Sequence, residues 1–138
     1  MKDTKDRLLS ILVIAFVVFA CAGLAAAYVI SGNSGMKVFD GRNHTQTITI
    51  KNGETFKVVL DENPGTGYGW IINVTPGLTI VNDTFVPSSS GLTGAGGRHE
   101  WQIKVAGTGN QQLSGIYKRS WETDSGNEAT YRLNITIV

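Results

Sequence analysis

The sequence predicts an all-β domain, a two-sheet antiparallel sandwich of about seven strands, preceded by one N-terminal hydrophobic helix. Three observations carry that reading. From about residue 37 to 138 the apolar residues recur with period two rather than 3.6, as in Thr45–Ile50 and Tyr131–Ile137. Turn-forming clusters rich in Gly, Pro, Ser and Asn separate these runs at short intervals. No stretch of this part shows an amphipathic helical stripe. Seven or so short strands in about 100 residues correspond to a sandwich of immunoglobulin-like type.

The 138 residues suffice for one domain and not two. Met1 to Arg7 is a charged head, and Leu8 to Ile30 is an uncharged run of 23 residues. A helix of about 20 apolar residues crosses a bilayer, so the run over 8–30 reads as a transmembrane anchor. The basic residues before it favour a C-terminal part outside the cell, giving a single-pass protein of the cell membrane. The competing reading is a cleaved signal, with Ala25-Ala26-Ala27 as the small residues a signal peptidase needs, and secretion of the rest. A lipid-modified Cys21 ranks third, because Phe19 stands where such sites usually have a small residue. Residues 31–36 form a flexible linker and 37–138 the β domain.

That domain carries nine positive and nine negative residues. Its neutrality gives no reason to expect nucleic acid as a partner. Cys21, the sole cysteine, lies in the apolar run, so the domain has no disulfide, thiolate zinc site or cysteine nucleophile. His44 and His99 flank different strands and lack a clear third ligand, so no metal or other cofactor is expected. Asp61, Glu62, Thr66 and His99 do not form a recognisable nucleophile–base–orienter set, and the neighbouring carboxylates Asp61 and Glu62 face opposite sides of a strand. The chain is therefore not expected to be an enzyme, and a monomer is expected. Asn43, Asn73, Asn82 and Asn134 begin Asn-x-Ser/Thr triplets, candidate glycosylation sites in an exported domain.

Taken in order, the first strand covers 45–50, with Ile48 and Ile50 on one face. Asn52-Gly53 is the strongest short hairpin-turn signal and leads into 54–61, where Phe56, Val58 and Leu60 share a face. Further strands are read at 69–74, 78–86, 98–105, 111–118 and 128–138. In the last of these Tyr131, Leu133, Ile135 and Ile137 alternate with Arg132, Asn134 and Thr136. Burying each large aliphatic or Phe side chain contributes roughly 1.5–3 kcal/mol, which must replace the missing disulfide.

Three irregular stretches interrupt this frame. Asn63-Pro64-Gly65-Thr66-Gly67-Tyr68 is a sharp loop, since Pro64 fixes its φ and the glycines permit angles that other residues avoid. Pro87 to Gly97 is rich in Gly and Ser. Lys118 to Asn127 sets Arg119 and Trp121 together in a polar segment, where the tryptophan either folds back onto the core or is offered to a partner. If strands alternate in direction, all three connections emerge along one edge.

These stretches resemble the chagasin-like inhibitors of papain-type cysteine peptidases. That family has Asn-Pro-x-Thr-Gly followed by Tyr or Phe in its first loop, matched by Asn63 to Tyr68. Its second loop has Gly-x-Gly-Gly, matched by Gly94-Ala95-Gly96-Gly97. Its third has Arg-Pro-Trp, where this chain reads Arg119-Ser120-Trp121. Serine in place of proline removes a backbone restraint and leaves the expected loop floppier. The resemblance implies a reversible, competitive inhibitor whose three loops occlude the active-site cleft. It puts the Thr66 loop over the catalytic Cys–His pair, the Gly94–Gly97 loop on the non-primed side and Trp121, braced by Arg119, on the primed side. The alternative is a non-inhibitory cell-surface immunoglobulin-like domain binding a glycan or envelope protein.

Overall fold

A computed structural model describes residues 35–138, and Met36–Val138 forms one compact unit. It holds eight strands: β1 (Lys37–Asp40), β2 (Thr47–Ile50), β3 (Thr55–Glu62), β4 (Tyr68–Val74), β5 (Leu78–Pro87), β6 (Gly97–Val105), β7 (Gly109–Arg119) and β8 (Ala129–Ile137). They form two four-stranded sheets, ordered β1-β3-β6-β5 and β2-β8-β7-β4.

The alternation read from the sequence sets the inward faces. Phe56, Val58 and Leu60 on β3 meet Tyr131, Leu133, Ile135 and Ile137 on β8 in one core. Trp101, Ile103 and Val105 from β6, Leu113 from β7, Ile50 from β2 and Leu78 from β5 complete it. Residues between them on the same strands, such as Arg132, face out, as a pleat of period two requires.

Three expectations are corrected. The sandwich is mixed rather than wholly antiparallel, because β1 pairs parallel with β3 and β2 pairs parallel with β8. Asn52-Gly53 does not close a hairpin. Gly53 adopts the positive φ of 86° that the signal implies, but β2 and β3 join different sheets, so the turn carries the chain across the core. β1 is an additional strand, and its ladder runs from Lys37↔Phe56 to Asp40↔Val59.

The N-terminal hydrophobic run over 8–30 lies outside the described residues. Among the described residues no helix is long and apolar enough to cross a membrane. The helices there are two single 3-10 turns, Gly41–Asn43 and Pro64–Thr66, and everything else regular is strand. The membrane anchor, the membrane as a partner and the single-pass location at the cell membrane are withdrawn on that finding.

Candidate functional site

The strand registers decide where the three connections emerge. Glu62 at the end of β3 and Pro87 at the end of β5 both oppose Gly97 at the start of β6. Tyr68 at the start of β4 opposes Arg119 at the end of β7. The β3–β4, β5–β6 and β7–β8 loops therefore share one end of the sandwich. Except for β8, the strands run further towards this rim than their sequence-read bounds. Tyr68, Gly97 and Arg119 are paired strand residues, and only the tips between them are loop.

The β3–β4 tip is a single 3-10 turn. Pro64 occupies its first position, where a missing N–H costs nothing. Gly67 ends it in the left-handed region, φ 79°, which favours glycine. Its N–H donates to Pro64 O at 2.9 Å, and the Thr66 hydroxyl donates to Asn63 O at 2.7 Å. The loop is thus shaped by its own hydrogen bonds, and Thr66 stays exposed at its crest.

Two side chains tie the neighbouring loops to this turn. Asn63 Nδ2 donates to Gly94 O in the β5–β6 loop at 3.3 Å. Arg119 Nε donates to Thr66 O at 3.2 Å, while its guanidinium lies 4.7 Å from the centre of the Tyr68 ring. Arg119 also donates to Glu122 Oε1 at 3.1 Å. Arg119 thus braces the Thr66 loop, and it reaches the same ground over Gly67 as the Trp121 indole.

Trp121 is 71% exposed, so it is offered outward rather than folded into the core. The edge of its indole lies over Gly67, where an added Cβ would come within 2.6 Å of Cη2. Ser120 beside it is exposed. The same logic of close approach explains Gly96 and Gly97. A Cβ on Gly96 would lie 2.9 Å from Glu62 O, and one on Gly97 would lie 2.2 Å from Val86 O. Gly94 takes φ 79°, and Ala95 N–H donates to Leu92 O at 3.1 Å to fold the tip back. Ser88 N–H donates to Gly96 O at 3.0 Å and closes the base of the loop.

Beneath the tips lies a network that sequence reading does not assemble, although Glu62, His99 and Tyr68 are each singled out there. Tyr117 accepts the Asn63 N–H at 3.1 Å, and its ring packs at a tilt against those of Tyr68 and Trp70, with centroids 5.6 and 5.1 Å away. Glu62 is buried, accepts the Trp70 N–H at 2.9 Å and contacts His99 Nδ1 at 3.0 Å. His99 Nε2 contacts Asp83. Burial works to lower the basicity of His99, but the hydrogen bonds to Glu62 and Asp83 outweigh it and hold its pKa above the ordinary value. Sequence gave no signal for Tyr117, a strand tyrosine, or for Asp83.

The carboxylates Asp61 and Glu62 part as expected, Asp61 exposed and Glu62 buried. No group of three or more His, Cys, Asp or Glu side chains suited to a metal ion occurs among the described residues. Of the candidate glycosylation positions, Asn73 on β4 and Asn82 on β5 are exposed. Asn43 closes a capping box with Asp40, and Asn134 accepts from Gln112 Nε2 at 3.0 Å.

Residues 49–135 match the model of the chagasin family peptidase inhibitor I42. The chain belongs to the chagasin family. Amoebiasin-1 of Entamoeba histolytica is 32% identical over 99 residues, spanning 69% of this chain and 93% of that protein. Chagasin of Trypanosoma cruzi is 28% identical over 81 residues, 54% of this chain and 74% of that protein. Among solved structures, the crystal structure of a cysteine protease inhibitor from Entamoeba histolytica superposes with a TM-score of 0.66 and 26% identity, covering 75% of this chain and 96% of that one. Membership in this family makes the chain a peptidase inhibitor and not an enzyme. Nothing in these similarities favours the non-inhibitory surface binder.

Proposed function

We propose that this chain is a reversible, competitive inhibitor of papain-type cysteine peptidases, and that the β3–β4, β5–β6 and β7–β8 loops are the wedge that enters the active-site cleft. One observation carries the proposal. Three loops distant in sequence are linked at a common rim by Asn63 to Gly94 and Arg119 to Thr66, with Trp121 projecting beside them. Such linkage lowers the ordering cost of binding, which otherwise consumes much of the interface energy. Residues 37–138 are then the inhibitory domain, read as an immunoglobulin-like sandwich with its working loops at one end.

Each tip has a role suited to its chemistry. The Thr66 turn is narrow because Gly65 and Gly67 lack side chains, so it can approach the catalytic Cys–His pair closely. The Gly94–Gly97 segment presents backbone rather than bulk and suits pairing along the non-primed side. Trp121 supplies a large apolar face for the primed side. Family relatives support the target class, since the similar Entamoeba histolytica structure is described as a cysteine protease inhibitor.

The test is titration of papain with residues 36–138, a compact unit that contains the whole described core. Activity falls with inhibitor, the apparent inhibition constant rises with substrate, and activity returns on dilution. A domain that leaves papain untouched at micromolar concentration refutes the proposal.

A further inference from the structure

The β3–β4 loop joins two different sheets, so its shape depends on what fixes the sheets to each other at its base. Glu62 is the buried charged residue of the described part, 8% exposed, and it stands at that junction. Its Oε2 accepts the N–H of Trp70 on β4 of one sheet. Its Oε1 meets His99 Nδ1 on β6 of the other. His99 Nε2 in turn meets Asp83 on β5. We propose that Glu62 is a positioning residue for the Asn63–Gly67 loop, and that the imidazolium form of His99, held between Glu62 and Asp83, is what locks it.

Hydrogen-bond inventory decides the charge state. Ionised carboxylates only accept, and neutral imidazole has one N–H to give. Both ring nitrogens of His99 face carboxylates, so only the doubly protonated ring satisfies both. When the ring is neutral, one lone pair confronts a carboxylate oxygen. The ring cannot turn away, because it stacks flat on Trp101 at 4.2 Å with a 3° interplanar angle and meets Phe85 edge-on at 6.4 Å. The titratable groups facing it are Glu62 from β3 and Asp83 from β5, and from β4 the Trp70 N–H meets Glu62 rather than the ring. Its strand neighbours Arg98 and Glu100 point to the opposite face of β6. The raised basicity of His99 accords with this arrangement.

The proposal deepens the inhibitory reading and rests on it. The lock holds below the elevated pKa of His99 and releases as pH rises through it. Inhibition constants for papain are measured with residues 36–138 from about pH 5 to about pH 9, as ratios of variant to wild type so that papain's own ionisation cancels. For Glu62→Gln and His99→Gln the ratio is about 5- to 50-fold at the acid end, reflecting unsatisfied buried groups. It declines towards one at the alkaline end, where the wild type has lost its lock. Asp83→Asn, at an exposed acceptor, keeps the fold and moves the wild-type break to lower pH. In parallel, nuclear magnetic resonance follows the His99 ring and the amides of Asn63, Gly65, Thr66 and Gly67. Both ring nitrogens stay protonated past about pH 6.5, the ordinary imidazole midpoint, and the loop amides titrate with the ring in the wild type but not in His99→Gln. A ring that loses its second proton at or below about pH 6.5, loop amides indifferent to it, or a ratio that is flat with pH overturns the proposal. A wild type that never inhibits papain refutes the inhibitory reading, and the resonance titration still decides the lock.

Discussion

Removing the Trp121 side chain separates binding from folding more cleanly than any other change in the molecule. The indole is 71% exposed, and one edge of it lies over Gly67. A tryptophan offers at most about 250 Å² for burial, so about 180 Å² remains to be covered by a partner. At about 25 cal/mol per Å² the ceiling is about 4.5 kcal/mol, and alanine keeps a small share of it. Trp121→Ala therefore weakens papain inhibition by about 2–4 kcal/mol, roughly 30- to 1,000-fold. Stability should stay within about 0.5 kcal/mol of wild type, as for other exposed positions. The assay pairs inhibition constants from progress curves with denaturant unfolding of the same samples. An inhibition constant within about threefold of wild type, with the fold intact, refutes the role given to Trp121. A large loss of stability instead refutes the reading of its indole as an outward-facing group.

Gly97→Ala forces a Cβ to 2.2 Å from Val86 O and 2.7 Å from Phe85 Cζ, so β5 and β6 must part; unfolding measurements should show a loss of about 2–4 kcal/mol. Tyr131 is 2% exposed, and its hydroxyl has no hydrogen-bond partner among the described residues. Burial first and Asp40 second push its pKa up to about 12. Tyr131→Phe should leave stability unchanged or raise it by up to about 1 kcal/mol in a thermal melt, because no satisfied bond is lost. Glu128 accepts the backbone N–H groups of Ser125 and Gly126, and the first of these chiefly holds its pKa down at about 2. A depressed carboxylate contributes order that is present above its ordinary value near 4.5 and lost as pH falls through about 2. The amides of Ser125 and Gly126 should therefore keep their resonance positions down to about pH 3 and shift below it.

Much of this was readable before any coordinates because period-two alternation and turn chemistry are local. Phe56, Val58 and Leu60 could be assigned to one face from spacing alone, and so could Tyr131, Leu133, Ile135 and Ile137. Burial in the structure follows those assignments. Pairing is not local. Asn52-Gly53 specifies a positive φ and a reversal, but nothing in two residues says which sheet the next strand joins. The four residues of β1 are too few to show a pattern, and their partner β3 lies across the same turn. The chain from Glu62 to His99 and Asp83 joins residues 37 and 16 positions apart, which meet only once the β3–β6 and β5–β6 registers are set.

The departure at Ser120 shows how a local rule can be answered by distant side chains. Proline there would restrain the backbone covalently, and its absence led to the expectation of a looser loop. In the structure the segment is tied from several sides. Lys118 pairs with Asp124, Arg119 bridges Glu122 and Thr66 O, and Glu128 caps two amides at the far turn. The Arg119–Glu122 pair is about 40% exposed and the Asp124 carboxylate 63%. The Arg119–Glu122 pair therefore contributes only about 0–1 kcal/mol, and although the Lys118 side chain is itself only 13% exposed, both pairs weaken as salt screens their exposed carboxylates. A proline's restraint does not depend on salt. Order around Trp121 here should, so the inhibition constant should drift upward with ionic strength in this chain and less so in Ser120→Pro.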